Sequence, residues 1–179
     1  MRKDPQARRA FWLQMKVVQA QSDGLRLCEM PEDWFRWPES GMDNPLVASI
    51  AVFCCNRLLD QARISEAHSA MENLLSGNSG MPGLYTNLLT CDLIFCYLLE
   101  GDTDRASALL TKPLLAFMKS MKTFPSVLRT AIAVAQLLDK DNGKADTLRK
   151  QFEKTARSYP YPQEIDSEQE LLARLEALA

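Results

Sequence analysis

One histidine, His68, is the entire imidazole complement of this 179-residue chain. A two-histidine zinc site is therefore excluded, and a histidine general base has a single possible position. The five cysteines, Cys28, Cys54, Cys55, Cys91 and Cys96, include no C-x-x-C pair. Odd in number and set in apolar segments, they are expected as reduced thiols that pack as small hydrophobes in a cytoplasmic protein. Charge of one sign is not in excess either, since 21 Lys+Arg stand against 23 Asp+Glu for a net of −2. Neither a basic footprint for nucleic acid nor an acidic solvating tail follows from that balance. A bilayer-spanning run is missing: the longest uncharged stretch, Asn73 to Cys91, is broken by Gly77, Gly80, Pro82 and Gly83. The start, Met1 to Arg9, has no apolar core of a secretory signal. No segment alternates with period two, so no sheet is predicted.

What is present is helical patterning from end to end. A first helix opens at Pro5, carries apolar positions at Phe11, Met15 and Val18, and stops at Gly24. The proline-bounded aromatic segment Met30 to Pro38 is expected as an ordered strap that lays its rings on the fold. Asn44 caps a helix from Pro45 to about Asp60. Further helices are predicted over about 65–75, 84–99 and 104–110, then from Pro113, from Pro125 to about Leu138, and from Gly143 to near Tyr159. Ser167 and Glu170 stand in the S-x-x-E relation expected to open a last helix.

Three segments repeat. Arg57-Leu58-Leu59-Asp60 precedes Ala67, Tyr97-Leu98-Leu99-Glu100 precedes Ala106, and Gln136-Leu137-Leu138-Asp139 precedes Ala145, with the alanines 39 residues apart each time. That period belongs to two-helix solenoid repeats, in which a small residue lets two helices approach closely. The turn Gly101-Asp102-Thr103-Asp104-Arg105-Ala106 resembles the inter-helix turn of tetratricopeptide repeats. The expected fold is all-α: tetratricopeptide-like antiparallel helix pairs stacked as a short right-handed solenoid, with an N-terminal helix and aromatic strap. Residues 1–43 are expected to pack on the repeats of 44–179 as one compact domain.

A wider resemblance rests on Arg8-Arg9-Ala10-Phe11-Trp12, on Met30-Pro31-Glu32-Asp33-Trp34-Phe35, on Asn56-Arg57-Leu58-Leu59-Asp60, on Phe117-Met118-Lys119-Ser120-Met121-Lys122 and on Phe124-Pro125-Ser126-Val127-Leu128-Arg129-Thr130. These strings resemble the cytosolic C-terminal region of bacterial site-2-protease-like membrane zinc metallopeptidases, over essentially the whole chain. The resemblance implies an accessory domain, because the zinc motif of that family precedes such a region and none of its residues is here. The balanced total also conceals blocks of +4 over 1–20, −9 over 21–104, +7 over 105–157 and −4 over 158–179. Such segregation favours oriented association with a partner. In a longer parent protein, the basic start would face the cytosolic side of a membrane.

The remaining constellations point away from catalysis. Asp139-Lys140-Asp141-Asn142-Gly143 departs from a calcium loop, with its glycine one place early and Lys150 at the twelfth position. His68 has no nucleophile or metal-spaced partner near it in sequence. Lys150, Lys154 and Arg157 form a basic stripe without interleaved aromatics, so no nucleic acid is expected. The expectation is a noncatalytic interaction module without cofactor or metal, taking a protein or peptide partner. Asn56, Arg57, Asn87 and Arg129 are the candidate peptide-binding residues, and Trp34, Phe35 and Trp37 the candidate interface aromatics. A stand-alone scaffold or dimerisation protein, and a small enzyme with a carboxylate-based site, are the alternatives.

Overall fold

In the computed structural model, which describes residues 5–38, 40–77 and 80–178, the described residues form nine α-helices and no strand. They are α1 (Pro5–Ser22), α2 (Pro45–Asp60), α3 (Ile64–Gly77), α4 (Gly83–Leu99), α5 (Thr103–Leu109), α6 (Lys112–Ser120), α7 (Pro125–Leu137), α8 (Asn142–Ala156) and α9 (Pro162–Glu176). The basic residues Arg2 and Lys3 lie outside the described residues.

Helix starts follow local chemistry. The Asn44 side chain accepts from Leu46 N at 3.0 Å, Asp102 from Arg105 N and Asp141 from Lys144 N, each at 3.0 Å. Proline occupies the first turn of α2, α6, α7 and α9, where its missing N–H costs nothing. The last helix corrects one expectation. It starts at Pro162 rather than at Ser167, whose hydroxyl lies inside the helix and donates to Gln163 O. The fixed φ of Pro162 nucleates the turn earlier than a serine cap would.

The chain gathers into two compact units, Met1–Leu89 and Thr90–Ala179. In the first unit α1 packs on α2, and so does the 3-10 turn Leu27–Glu29. α1 turns its small side chains inward: Ala7, Ala10, Leu13, Val17 and Ala20 are buried. Phe11, Met15 and Val18, the apolar positions that mark the helix in the sequence, are exposed together with Trp12, which is 64% accessible. Alanines win because they let two helix backbones approach closely, leaving the bulky residues on the outer side.

The strap between α1 and α2 is held by side chains rather than by helix. Asp60, the acid that ends α2, takes Arg26 in an ion pair and accepts from Cys28 N at 2.9 Å. A second 3-10 turn, Glu32–Trp34, follows.

In the second unit α7 packs against α8, α9 and α6. All eight residues of α4 from Cys91 to Leu98, Asp92 among them, are buried, more than two full turns.

The sequence repeat has a structural counterpart in its turns. Backbone φ is positive at Ala62, Gly101 and Lys140, again 39 residues apart. In the first two, paired bonds close the helix end: Arg63 N to Leu58 O with Ala62 N to Leu59 O, and Asp102 N to Tyr97 O with Gly101 N to Leu98 O. This is the Schellman arrangement, which satisfies the last carbonyls of a helix. In the third the bond from Asp141 N reaches one residue further back, to Ala135 O. Ala67, Ala106 and Ala145 are buried in each case.

Candidate functional site

The first unit contains a groove of about 490 Å³, of the size that admits a small ligand or a few peptide side chains. Three elements build it. α2 supplies Cys54, Arg57 and Leu58, the stripe of α3 with the residue before it supplies Arg63, Glu66, Ala70, Asn73 and Leu74, and the strap supplies Glu32, Phe35, Trp37 and Pro38. The i, i+3, i+7 spacing of Arg63, Glu66 and Ala70 sets these positions on one face of α3. Prolines at 31 and 38 keep the strap from continuing as helix, so it crosses as an irregular wall.

Arg57 lines the groove and is only 8% exposed. Its guanidinium stands over the Phe35 ring, 5.3 Å from the centroid, and one nitrogen donates to Met30 O across a long 3.4 Å. Nε is buried and makes no hydrogen bond. No carboxylate among the described residues forms an ion pair with Arg57. The neighbouring cation is satisfied: Arg63 holds Glu66 through bonds of 2.8 and 2.5 Å, and Arg63 in turn keeps the Glu66 carboxyl below its ordinary range. Phe35 is buried and its carbonyl accepts from the Cys54 thiol at 3.4 Å, whereas Trp37 is 42% exposed at the groove wall. Burial pushes the Cys54 thiol up to about 12, which leaves it a packing group and not a nucleophile.

Arg57, Phe35 and Trp37 are thus brought together, although the sequence had offered them as two separate groups. The other candidates are placed elsewhere. Trp34 is half-buried under the Lys16 ammonium, 5.0 Å from its centroid, and serves to hold the strap on α1. Asn56 and Asn87 are half-buried and do not line the groove.

Arg129 is corrected outright. At 1% exposure it is among the largest fully buried side chains, and no peptide can reach it in this fold. One nitrogen binds Asp92 at 2.5 Å, another binds Glu168, and the guanidinium covers the Phe95 ring at 4.2 Å. Burial opposes its charge, but Glu168 and Asp92 more than offset that, and its pKa is raised. Two carboxylates against one guanidinium leave an interior excess of negative charge. Burial accordingly pushes Glu168 up to about 7, with Arg129 pulling the other way. A signal for this cluster existed in the sequence. Asp92 is the one charged residue of α4, and Arg129 the one charged residue of α7. A lone charge in an apolar helix requires a counter-ion.

Of the remaining constellations, the carboxylates of the Asp139–Gly143 turn are committed locally, Asp139 to Lys144 Nζ and Asp141 to the start of α8. No cluster of three or more His, Cys, Asp or Glu suited to a metal ion occurs among the described residues. No helix among them is long and apolar enough to cross a membrane. Comparison with known proteins found no matching family model and no significant similarity to a curated protein or to a solved structure.

Proposed function

We propose that this chain is a noncatalytic, tetratricopeptide-like interaction module whose ligand is a segment of another protein held in the groove between the strap, α2 and α3. The observation that carries this reading is Arg57, a nearly buried guanidinium without a carboxylate partner among the residues that line an open groove. A buried charge without a counter-ion is costly, and a fold retains such a cost where a ligand relieves it. The repeated left-handed turns and buried alanines at a 39-residue spacing support the helix-pair repeat. On the resemblance to site-2-protease-like metallopeptidases, the module serves as the cytosolic regulatory or substrate-docking part of a membrane protease.

The test is a titration of the purified chain with a random dodecamer peptide library selected on it, followed by NMR of the Trp37 indole N–H. Selected peptides are expected to move that signal, and Ala70→Trp, which fills the groove, is expected to abolish binding. Peptides that bind equally well to the filled variant would sink the reading.

A second reading concerns the outer side of α1. Phe11, Trp12, Met15 and Val18 are exposed there, and the helix carries Arg8, Arg9 and Lys16 with no acid. An aromatic and basic helix face of this kind suits a membrane surface rich in anionic lipid. Co-sedimentation with vesicles containing phosphatidylserine checks it, with loss of binding expected for Trp12→Ala/Phe11→Ala.

A further inference from the structure

The chemistry of the groove goes beyond the statement that a peptide docks. We infer that its ligand brings a carboxylate to Arg57 and sets an apolar side chain beside it against Trp37 and Pro38. This rests on the groove being the docking site and names what the groove selects.

A guanidinium has five N–H donors in a rigid planar fork. In Arg57 the bond to Met30 O, long at 3.4 Å, uses one of them. Nε is sealed from solvent and unpaired. Nη1 makes no hydrogen bond and is not sealed, and Arg57 is one of the residues that line the groove. The Phe35 ring, its centroid 5.3 Å from the guanidinium carbon, compensates part of the buried charge. A preformed planar fork with a free edge matches a carboxylate better than it matches a neutral carbonyl.

The other charges of the groove do not supply that partner. Glu66 is engaged by Arg63 through two bonds at the α3 side. Glu32 is exposed on the strap, where solvent screens it from an incoming anion. The apolar requirement follows from the wall. Trp37 is accessible over 42% of its surface, and Pro38 and Leu74 continue the same lining. Covering an indole with an aliphatic or aromatic neighbour of the acid adds contact area at a rigid anchor.

A side-chain carboxylate and a chain-terminal one share this chemistry, and the experiment separates them. Three pools of N-acetylated hexapeptides, random in apolar and small polar residues, are titrated into the full chain. The first has a central Glu and an amidated C-terminus, the second a central Gln and an amidated C-terminus, and the third a central Gln and a free C-terminal carboxylate. The Nε–H signal of Arg57 and the Trp37 indole signal are followed by NMR. We expect the first or third pool to bind about tenfold more tightly than the second and to shift the Arg57 Nε–H. Whichever of the two is tighter identifies the carboxylate source. Arg57→Gln is expected to erase the difference between pools, and Arg57→Lys to retain part of it. Equal affinities for all three pools, with the Trp37 signal still moving, would overturn the carboxylate anchor and leave the docking groove standing. If no pool moves either signal, the anchor and the groove fall together.

Discussion

The two compact units each bury one arginine on a helix that is otherwise almost free of charge, and they complete it in opposite ways. In the second unit Arg129 is enclosed by Asp92 and Glu168, two carboxylates from α4 and α9. In the first, Arg57 has a backbone carbonyl and the face of a ring, and it lines an open groove. Both leave Nε unpaired, so neither site is saturated. The difference lies in where the countercharge comes from. An arginine closed by its own chain is a structural element, whereas one whose countercharge is missing from the chain is a receptor for it. Burial alone does not distinguish the two roles; the partner list does.

The largest test of that contrast is Arg129→Met. It strands Asp92 without a cation in the interior and should cost about 3–5 kcal/mol in urea unfolding. A loss below about 1 kcal/mol would mean that the enclosed ion cluster is not structural and that the contrast fails. Next in size is the pH response. Glu168 is raised from the ordinary carboxylate range to about 7, so the folded state holds a proton that the unfolded state has released. Its contribution is therefore fully present below about pH 4.5 and is lost as pH rises through 7, with a slope of at most about 1.4 kcal/mol per pH unit. Thermal melts between pH 5 and 8 should show stability falling with pH in the native chain and a flatter profile in Glu168→Gln. A profile unchanged by that substitution would place the titration elsewhere.

The repeated turns give a smaller comparison between the units. Gly101 and Ala62 hold the same left-handed conformation, with φ of 77° and 59°, and no heavy atom stands within 4 Å of a Cβ added at Gly101. Gly101→Ala should therefore cost about 1 kcal/mol through backbone strain alone, and Ala62→Gly should recover a similar or smaller amount. Both are read from denaturation midpoints. The smallest effect is expected at Arg57. Replacing it with Met removes an uncompensated charge and should leave the free chain's stability within about 1 kcal/mol of the original, or slightly higher, while ligand affinity is lost. A loss comparable to that of Arg129→Met would show that Arg57 is structural after all, and would erase the distinction between the two units.

Much of the helical layout was legible in the sequence because local chemistry determines it. Asn44-Pro45, Thr111 before Pro113 and Asp141 before Gly143 mark helix starts that need no tertiary information. Ser167 misled because an S-x-x-E pattern inside a helix looks the same as one at its start, and only Pro162 five residues earlier distinguishes them. The orientation of α1 was not legible. Its sequence offers two apolar sides, and the choice of the alanine side depends on how closely α2 can approach. The site was half legible. Arg57 and the strap aromatics stood out as residue types, but their meeting in one groove depends on how the strap crosses α2. Arg129 looked equivalent to Arg57, because the acids that enclose it lie 37 and 39 residues away in sequence.

The buried thiols have a practical consequence. Cys54 and Cys55 lie in the first unit and Cys91 and Cys96 in the second, and burial pushes Cys54, Cys91 and Cys96 up to about 12. In the folded chain these sulfurs are nearly inert to alkylating reagents, and they react only when the surrounding helices part. Each unit thus carries its own pair of native chronometers. The rate at which a mass-spectrometric tag appears on either pair times the opening of that half of the molecule, with no label added to its design.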